Sequence, residues 1–410
     1  MLLGGLRITL LEGLIFSWHR AFFGDFYAVM FHPYWWDGSG IVYGPVFVFE
    51  RWLVNALPGV MTIYVFAILN IPLAAIAFSA CALACGLDRG RMVAALALWL
   101  ASWPLTFALS VSANPEFVEL AFLSLAWLAA ARGRRATEGG LVALAALTKV
   151  IPGIFLVPGL VRPGARRFVL GGALVSAVVL VAVAAGQRLS PAELLRELLV
   201  PSGKSGGQSV PISSIALGSQ SSPEITGLHA ALTRFAFGLG LGSPQTTGDA
   251  SPLNITVQAI ALATLALMLV ASAVVVIGLA RRGGGPRALT AAYGLFFALL
   301  PHATHNSHPH TWVFLMPTWT AIVHLLSTDH QVARRTRYAL AFGVAYAYVS
   351  LRVIPAVADR VLGTKLSTLI GQEPVWGGLA IVALLILYMR PRGPERGAAA
   401  GGASPGSASR

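Results

Sequence analysis

Charge is scarce in this sequence. Only 11% of its 410 residues are Asp, Glu, Lys or Arg, against 56% hydrophobic, which leaves too little polar surface to cover a soluble domain. Lipid must take the place of water over much of the chain. Cysteine is scarcer still. Cys81 and Cys85, four apart in one apolar run, are the only two; that excludes a disulfide framework and a zinc knuckle and leaves small buried thiols facing lipid or a neighbouring helix. The signatures of familiar soluble enzymes are missing too. Gly203-Lys204-Ser205 has Leu198 where a phosphate-binding loop needs its upstream glycine. There is no Asp-x-Asp pair to hold a nucleotide sugar through a divalent metal, no His-Glu-x-x-His and no Gly-x-Ser-x-Gly.

What charge there is has one dominant sign, with 29 Lys and Arg against 16 Asp and Glu for a net +13. The arginines sit in short clusters between apolar runs and form no continuous basic face, so no nucleic-acid partner is called for. This is the pattern of cytoplasmic loops in a multi-pass protein. A spanning helix needs roughly 20 apolar residues. Runs near 62 to 85, 92 to 111, 116 to 131, 168 to 186, 255 to 280, 288 to 301, 311 to 327, 338 to 354 and 376 to 390 reach or can be extended to that length. The segment 2 to 23 adds a weaker first span, since it carries Arg7, Glu12, His19 and Arg20 and lacks the small-residue cleavage site of a signal peptide. The sequence therefore predicts an all-α integral membrane protein of about ten transmembrane helices. The clusters around Arg89, Arg134, Arg166, Arg281, Arg335 and Arg392 then share one face, with both termini cytoplasmic.

Residues 139 to 161 break the count. They are apolar, yet both flanks are rich in arginine and the middle reads Lys149-Val-Ile-Pro152-Gly153. A re-entrant or broken helical hairpin satisfies both flanks and puts Lys149 inside the membrane protein. An intramembrane lysine is a functional candidate, and a helix-end lysine reaching back to the interface is the alternative. Residues 1–390 thus read as one polytopic domain with outer loops 24–60, 187–253, 302–310 and 355–375, and the Gly, Ala and Ser-rich residues 391–410 as a disordered cytoplasmic tail.

The outer loops hold the unusual polar residues. Gly24-Asp25-Phe26-Tyr27 follows the first span and leads through two tryptophans to Tyr43-Gly44-Pro45. An acidic residue among interfacial aromatics suits a sugar site, with Asp25 as a general base for a hydroxyl, or as a helix cap. Four of the nine histidines fall in 301 to 310, at His302, His305, His308 and His310. The two prolines of that run oppose a regular metal-binding face, and no metal or other cofactor is called for; proton handling or hydrogen bonding to a hydroxylated substrate fits better. Asn114-Pro115-Glu116, with Glu119 one turn on, puts two carboxylates on one helix face, for substrate or for the helix dipole. Arg234 in the long loop is a candidate phosphate contact.

Taken in order, these blocks resemble the bacterial polyprenol-phosphate-dependent mannosyltransferases of glycosyltransferase family 87, within the GT-C membrane fold. The likeness rests on Gly24-Asp25-Phe26-Tyr27 with Tyr43-Gly44-Pro45, on Asn114-Pro115-Glu116 followed by Arg132-Gly133-Arg134 and Ala146-Leu147-Thr148-Lys149-Val150-Ile151-Pro152, and on the histidine run ending His310-Thr-Trp-Val-Phe-Leu-Met-Pro317. The resemblance implies Asp25 as catalytic base and His310 as a second catalytic residue. Tyr27, Tyr43, Asn114, Glu116, Lys149, Arg234, His305 and His308 are then the candidate substrate-binding residues. This chain has Pro115-Glu116 where the family usually has Gly-Gln, and His310-Thr311 where a His pair is usual.

The implied reaction is inverting transfer of mannose from a polyprenyl-phosphate sugar donor to a glycolipid or glycan acceptor, on the extracytoplasmic face of a bacterial plasma membrane. Partners would be those two substrates and membrane lipids. An arabinofuranosyl or other polyprenyl-phosphate-sugar transferase of the same fold is the nearest alternative. A transporter or lipid flippase is the second, favoured by the broken helix but not by any repeat of the Lys149-Val-Ile-Pro152 break.

Overall fold

The computed structural model describes residues 46, 61–111, 116–149, 151–187, 190, 204–205, 208–209, 226–242, 251–281, 285–304, 307, 309–350 and 373–390. Helix follows helix along them: α1 (Met61–Cys85), α2 (Arg89–Leu100), α3 (Trp103–Val111), α4 (Glu116–Ala131) and α5 (Arg135–Thr148). A 3₁₀ segment, Ile151–Phe155, then leads into α6 (Leu156–Leu160) and α7 (Ala165–Gln187). Two two-residue strands, Lys204–Ser205 and Gln208–Ser209, pair antiparallel before α8 (Leu228–Gly238). The rest is α9 (Pro252–Arg281), α10 (Pro286–Ala303), a 3₁₀ segment Pro309–Leu315, α11 (Met316–Ser327), α12 (Val332–Ser350) and α13 (Glu373–Met389).

The apolar runs from 62 onward coincide with these helices, with two differences. The run 92 to 111 is split into α2 and α3: Pro104 lacks the N–H that a helix continued from Leu100 would need, and it sits instead in the first turn of α3, where that donor would be unused. The run 311 to 327 starts as 3₁₀ and becomes α-helical only at Met316. Among the described residues three helical segments are long and apolar enough to cross a membrane: Ile68–Cys85, Ala165–Gly186 and Pro252–Arg281. On α7, Leu174, Val178 and Val181 stand exposed, as do Leu262, Leu267 and Val274 on α9, which is the surface expected of helices whose solvent is lipid. The expected first span lies outside the described residues.

The segment with arginines at both ends is a helical hairpin. Its first limb is longer than the apolar run suggested, because α5 starts at Arg135 rather than at residue 139. It ends at Lys149, whose backbone is extended (φ −151°, ψ 138°). The return limb is the 3₁₀ segment and α6, and the two ends meet again where Arg135 Nε donates to the Pro163 carbonyl at 3.0 Å. Gly133 (φ 69°) and Gly164 (φ 82°) supply the left-handed backbone that turns the chain into α5 and into α7. Glycine also lets α5 and α7 touch backbone to backbone. A Cβ on Gly139 would stand 1.9 Å from the Phe168 carbonyl oxygen and one on Gly171 2.0 Å from that of Ala136, the close approach that small residues allow between membrane helices.

The hairpin is wedged into the core by an aromatic cluster. Phe155 sits 4.9 Å from Phe297 and 5.6 Å from Tyr293, and Trp127 stacks on Tyr293 at 5.6 Å between ring centres. Tyr293, Phe296 and Phe297 belong to α10, which is buried from Leu289 to His302 and is the central helix of the described bundle. Cys81 and Cys85 are both buried, with the Cys81 thiol 3.4 Å from the Ser124 hydroxyl.

The bundle is polar in the electrical sense. Helix α4 runs from Glu116 to Ala131, so about 24 Å separates its first residue from the arginines that follow its last. At that arginine end a second set of helix termini is tied together. The Tyr388 hydroxyl donates to Asp329 Oδ2 at 2.7 Å, and Arg287 and Arg334 each lie 3.7 Å from the same oxygen. Burial would raise the Asp329 carboxyl. The Tyr388 hydroxyl, the Gln331 N–H and the two guanidinium groups outweigh it and hold the carboxyl below its ordinary value. The stability this node gives is therefore present above the ordinary carboxylate range and lost as pH falls through the lowered native value. Asp329→Asn should cost about 2 kcal/mol at neutral pH, read as a lower midpoint in detergent thermal melts, and the gap from the parent should close in acid.

Candidate active site

Three chain segments far apart in sequence meet at the other end of the bundle. Glu116 opens α4, where a carboxylate is favoured by the helix N-terminus. Its Oε1 lies 3.2 Å from Lys149 Nζ at the hairpin apex and 3.4 Å from His310 Nε2 in the Pro309–Leu315 segment. Glu116 is 1% exposed while Lys149 and His310 are each 12% exposed, so the carboxylate forms the floor and the two nitrogen groups the open side. A buried ammonium is tolerable only beside a counter-charge, and Glu116 supplies it. The second carboxylate oxygen, Oε2, is buried and has no hydrogen-bond partner among the described residues. Glu119, one turn on, is buried as well.

The surroundings fix the two nitrogen groups from behind. Val46, directly after Tyr43-Gly44-Pro45, donates its N–H to the Leu147 carbonyl at 3.1 Å, two residues before Lys149. The segment carrying His310 is pinned by Trp312, whose Nε1 donates to Thr226 Oγ1 at 2.9 Å, while Thr226 Oγ1 donates to the Ser307 carbonyl at 3.1 Å. His302 packs edge-on against Trp312 at 5.1 Å. Thr226 and Gly227 lead straight into α8, where burial lowers the Arg234 guanidinium to about 10, still charged at neutral pH.

Of the ten residues singled out in the sequence, the structure brings Glu116, Lys149 and His310 together and buries Arg234 in α8. Asp25, Tyr27, Tyr43, Asn114, His305 and His308 lie outside the described residues. Among the described residues no group of three or more His, Cys, Asp or Glu could hold a metal ion. Sequence reasoning missed one cluster, formed by Arg135, Glu138, Arg162 and Tyr293, having counted both arginines as loop charges; the signal was Glu138, an acidic residue between two arginine groups.

The model of glycosyltransferase family 87 matches residues 42–303. The chain belongs to glycosyltransferase family 87. This is a family of membrane glycosyltransferases, so the protein is a membrane-bound transferase acting on a sugar donor and an acceptor. The matched stretch takes in Val46, Glu116 and Lys149, and His310 follows seven residues after it. No curated protein and no solved structure matches the chain.

The ion cluster makes its own demand on stability. Glu116→Leu takes a carboxylate away from the largely buried Lys149 ammonium and should cost about 3 kcal/mol. Adding Lys149→Met to it should recover much of that loss, measured as midpoints of thermal melts for the single and double variants.

Proposed function

We propose that this family 87 enzyme transfers mannose from a polyprenyl-phosphate donor to a glycolipid or glycan acceptor, on the extracytoplasmic face of a bacterial plasma membrane, with inversion at the anomeric carbon. The observation that carries the reading is the convergence of Lys149 and His310, from separate elements, on one oxygen of Glu116 at the end of the bundle remote from the arginine clusters. The positive-inside pattern makes the arginine end cytoplasmic. Counted with the first segment, the apolar runs then give about ten spans with both termini on that side. The hairpin enters and leaves from the cytoplasm, and α5, at 14 residues, reaches about 21 Å into a hydrocarbon layer of roughly 30 Å. That depth supports a place for Lys149 near the outer half of the membrane.

In the proposed reaction Asp25 takes the proton of an acceptor hydroxyl, and the oxygen attacks the anomeric carbon from the face opposite the phosphate. The bond from that carbon to the phosphate oxygen breaks, and the negative charge stays on the polyprenyl phosphate. Lys149 and His310, with Arg234, are the groups that receive this charge, and an ammonium and an imidazole fixed in advance stabilise it without reorganising. Glu116 Oε2 accepts a sugar hydroxyl. Tyr27, Tyr43, Asn114, His305 and His308 complete the substrate contacts, the tyrosines through their ring faces.

With Asp25→Asn the protein should fold and insert, and mannose transfer from polyprenyl-phosphate mannose to a membrane glycolipid fraction should fall by about two to four orders of magnitude; near-parent turnover would remove Asp25 from the mechanism. For the orientation, cysteines are placed at two exposed positions, Leu241 after α8 and Arg134 before α5. An impermeant thiol reagent applied from outside the cytoplasm should label Leu241→Cys and spare Arg134→Cys, and the reverse pattern would invert the topology.

A further inference from the structure

An ion-paired cluster outside the candidate site closes the base of the hairpin. Glu138 is fully buried. Its Oε1 accepts from Arg162 Nη1 at 3.0 Å and from the Tyr293 hydroxyl at 2.8 Å, and its Oε2 pairs with Arg135 Nη1. Arg135 also donates to the carbonyls of Gly159 and Pro163, and its guanidinium lies over the Phe168 ring at 5.3 Å. These contacts join three elements: α5, the end of the return limb with Arg162, and α10.

Of these elements α5 ends at one nitrogen group of the candidate site, and α10 precedes the segment with the other. Helix α5 is a single rod from Arg135 to Thr148, fixed along its side by the backbone contacts at Gly139 and Gly171, and it ends at Lys149. Helix α10 runs from Tyr293 on to Ala303 and leads into the segment that holds His310. Any tilt or slide of the hairpin relative to α10 therefore changes where Lys149 stands with respect to His310. Glu138, bonded to both limbs and to α10, opposes that movement. A carboxylate with three donors from three elements has little freedom to rearrange, because losing any one leaves a buried polar group exposed to a low dielectric.

We propose that Glu138, held by Arg135, Arg162 and Tyr293, is a positioning residue that sets the register of Lys149 against His310 and through it the affinity for the phosphate of the lipid donor. This rests on the reading of Lys149 as a phosphate contact, and the test separates the two. The full-length protein is purified in detergent, and its affinity for polyprenyl phosphate is compared with that for the uncharged polyprenol of the same length. The ratio isolates the contribution of the phosphate from that of the apolar tail. In the parent the phosphate should strengthen binding, and Lys149→Met should remove most of that gain, about tenfold or more. Tyr293→Phe deletes one hydroxyl and keeps the ring stack on Trp127, so it should fold. It should reduce the phosphate gain about five-fold with polyprenol binding unchanged. Glu138→Gln should do the same or more, Arg162→Met should follow it, and Arg162→Lys should retain most of the gain.

If Lys149→Met abolishes the phosphate gain while Tyr293→Phe and Glu138→Gln keep it, with only their melting temperatures lowered, the cluster is a structural staple and the proposal is wrong while the site stands. If Lys149→Met leaves the phosphate gain intact, the reading of Lys149 fails and takes this proposal with it. Should Glu138→Gln not fold, Tyr293→Phe and Arg162→Met decide the matter: a kept phosphate gain in both overturns the proposal.

Discussion

A charge taken out of water must bring its partner with it, and this chain has few acidic residues with which to do so. Each of three carboxylates is shared between two basic residues on different elements. Glu116 takes Lys149 and His310, Glu138 takes Arg135 and Arg162, and Asp329 takes Arg287 and Arg334. A tyrosine hydroxyl completes the second and third. In an apolar surround a bare ammonium or guanidinium is costly enough that the elements carrying it must come to the carboxylate. Apolar packing, which is indifferent between one lipid-facing surface and another, does not specify such a meeting. The ion clusters therefore do much of the work of saying which helix end belongs with which.

The hairpin illustrates how these constraints add. Its two limbs are short and its apex is polar, so in lipid alone it would leave unpaired backbone at Lys149. Three separate fastenings make it possible: Glu138 at the base, the glycine contacts with α7 along the side, and the ring of Phe155 set among Trp127's neighbours Tyr293 and Phe297 in the middle. The apex then meets Glu116 and, through Leu147, the backbone at Val46. The chain has placed a lysine deep in the bundle without leaving it mobile.

Helix positions from residue 62 onward were legible because lipid rewards long apolar runs, and that signal survives in single residues such as those exposed along α7 and α9. The break at Lys149 was legible from a conflict, arginines on both flanks of a run too short to cross twice. Its limb lengths were not, since Arg135 and Glu138 are charged and look like loop residues until each is seen to neutralise the other. The coming together of Glu116, Lys149 and His310 could be anticipated only as three separate candidates. Periodicity places each residue on its own element, but the distance between elements is set by packing contacts such as Trp312 on Thr226, which leave no pattern in the sequence. The family match, from 42 to 303, gives the class of chemistry and is silent on which charges meet.

Why the proposed phosphate site should contain a carboxylate at all follows from the cycle that the proposed reaction must complete. An ammonium with no counter-ion would hold a departing anion tightly and would be poorly tolerated in the empty protein. With Glu116 beside both Lys149 and His310, an arriving phosphate in the proposed reaction would compete with a carboxylate instead of meeting bare charge. Uniform binding of donor and product would thereby be weakened, whereas the extra negative charge that develops as the sugar bond breaks would still be met by both groups. Lys149 and His310, slightly exposed above a buried Glu116, are placed to meet such a charge while the carboxylate stays behind them.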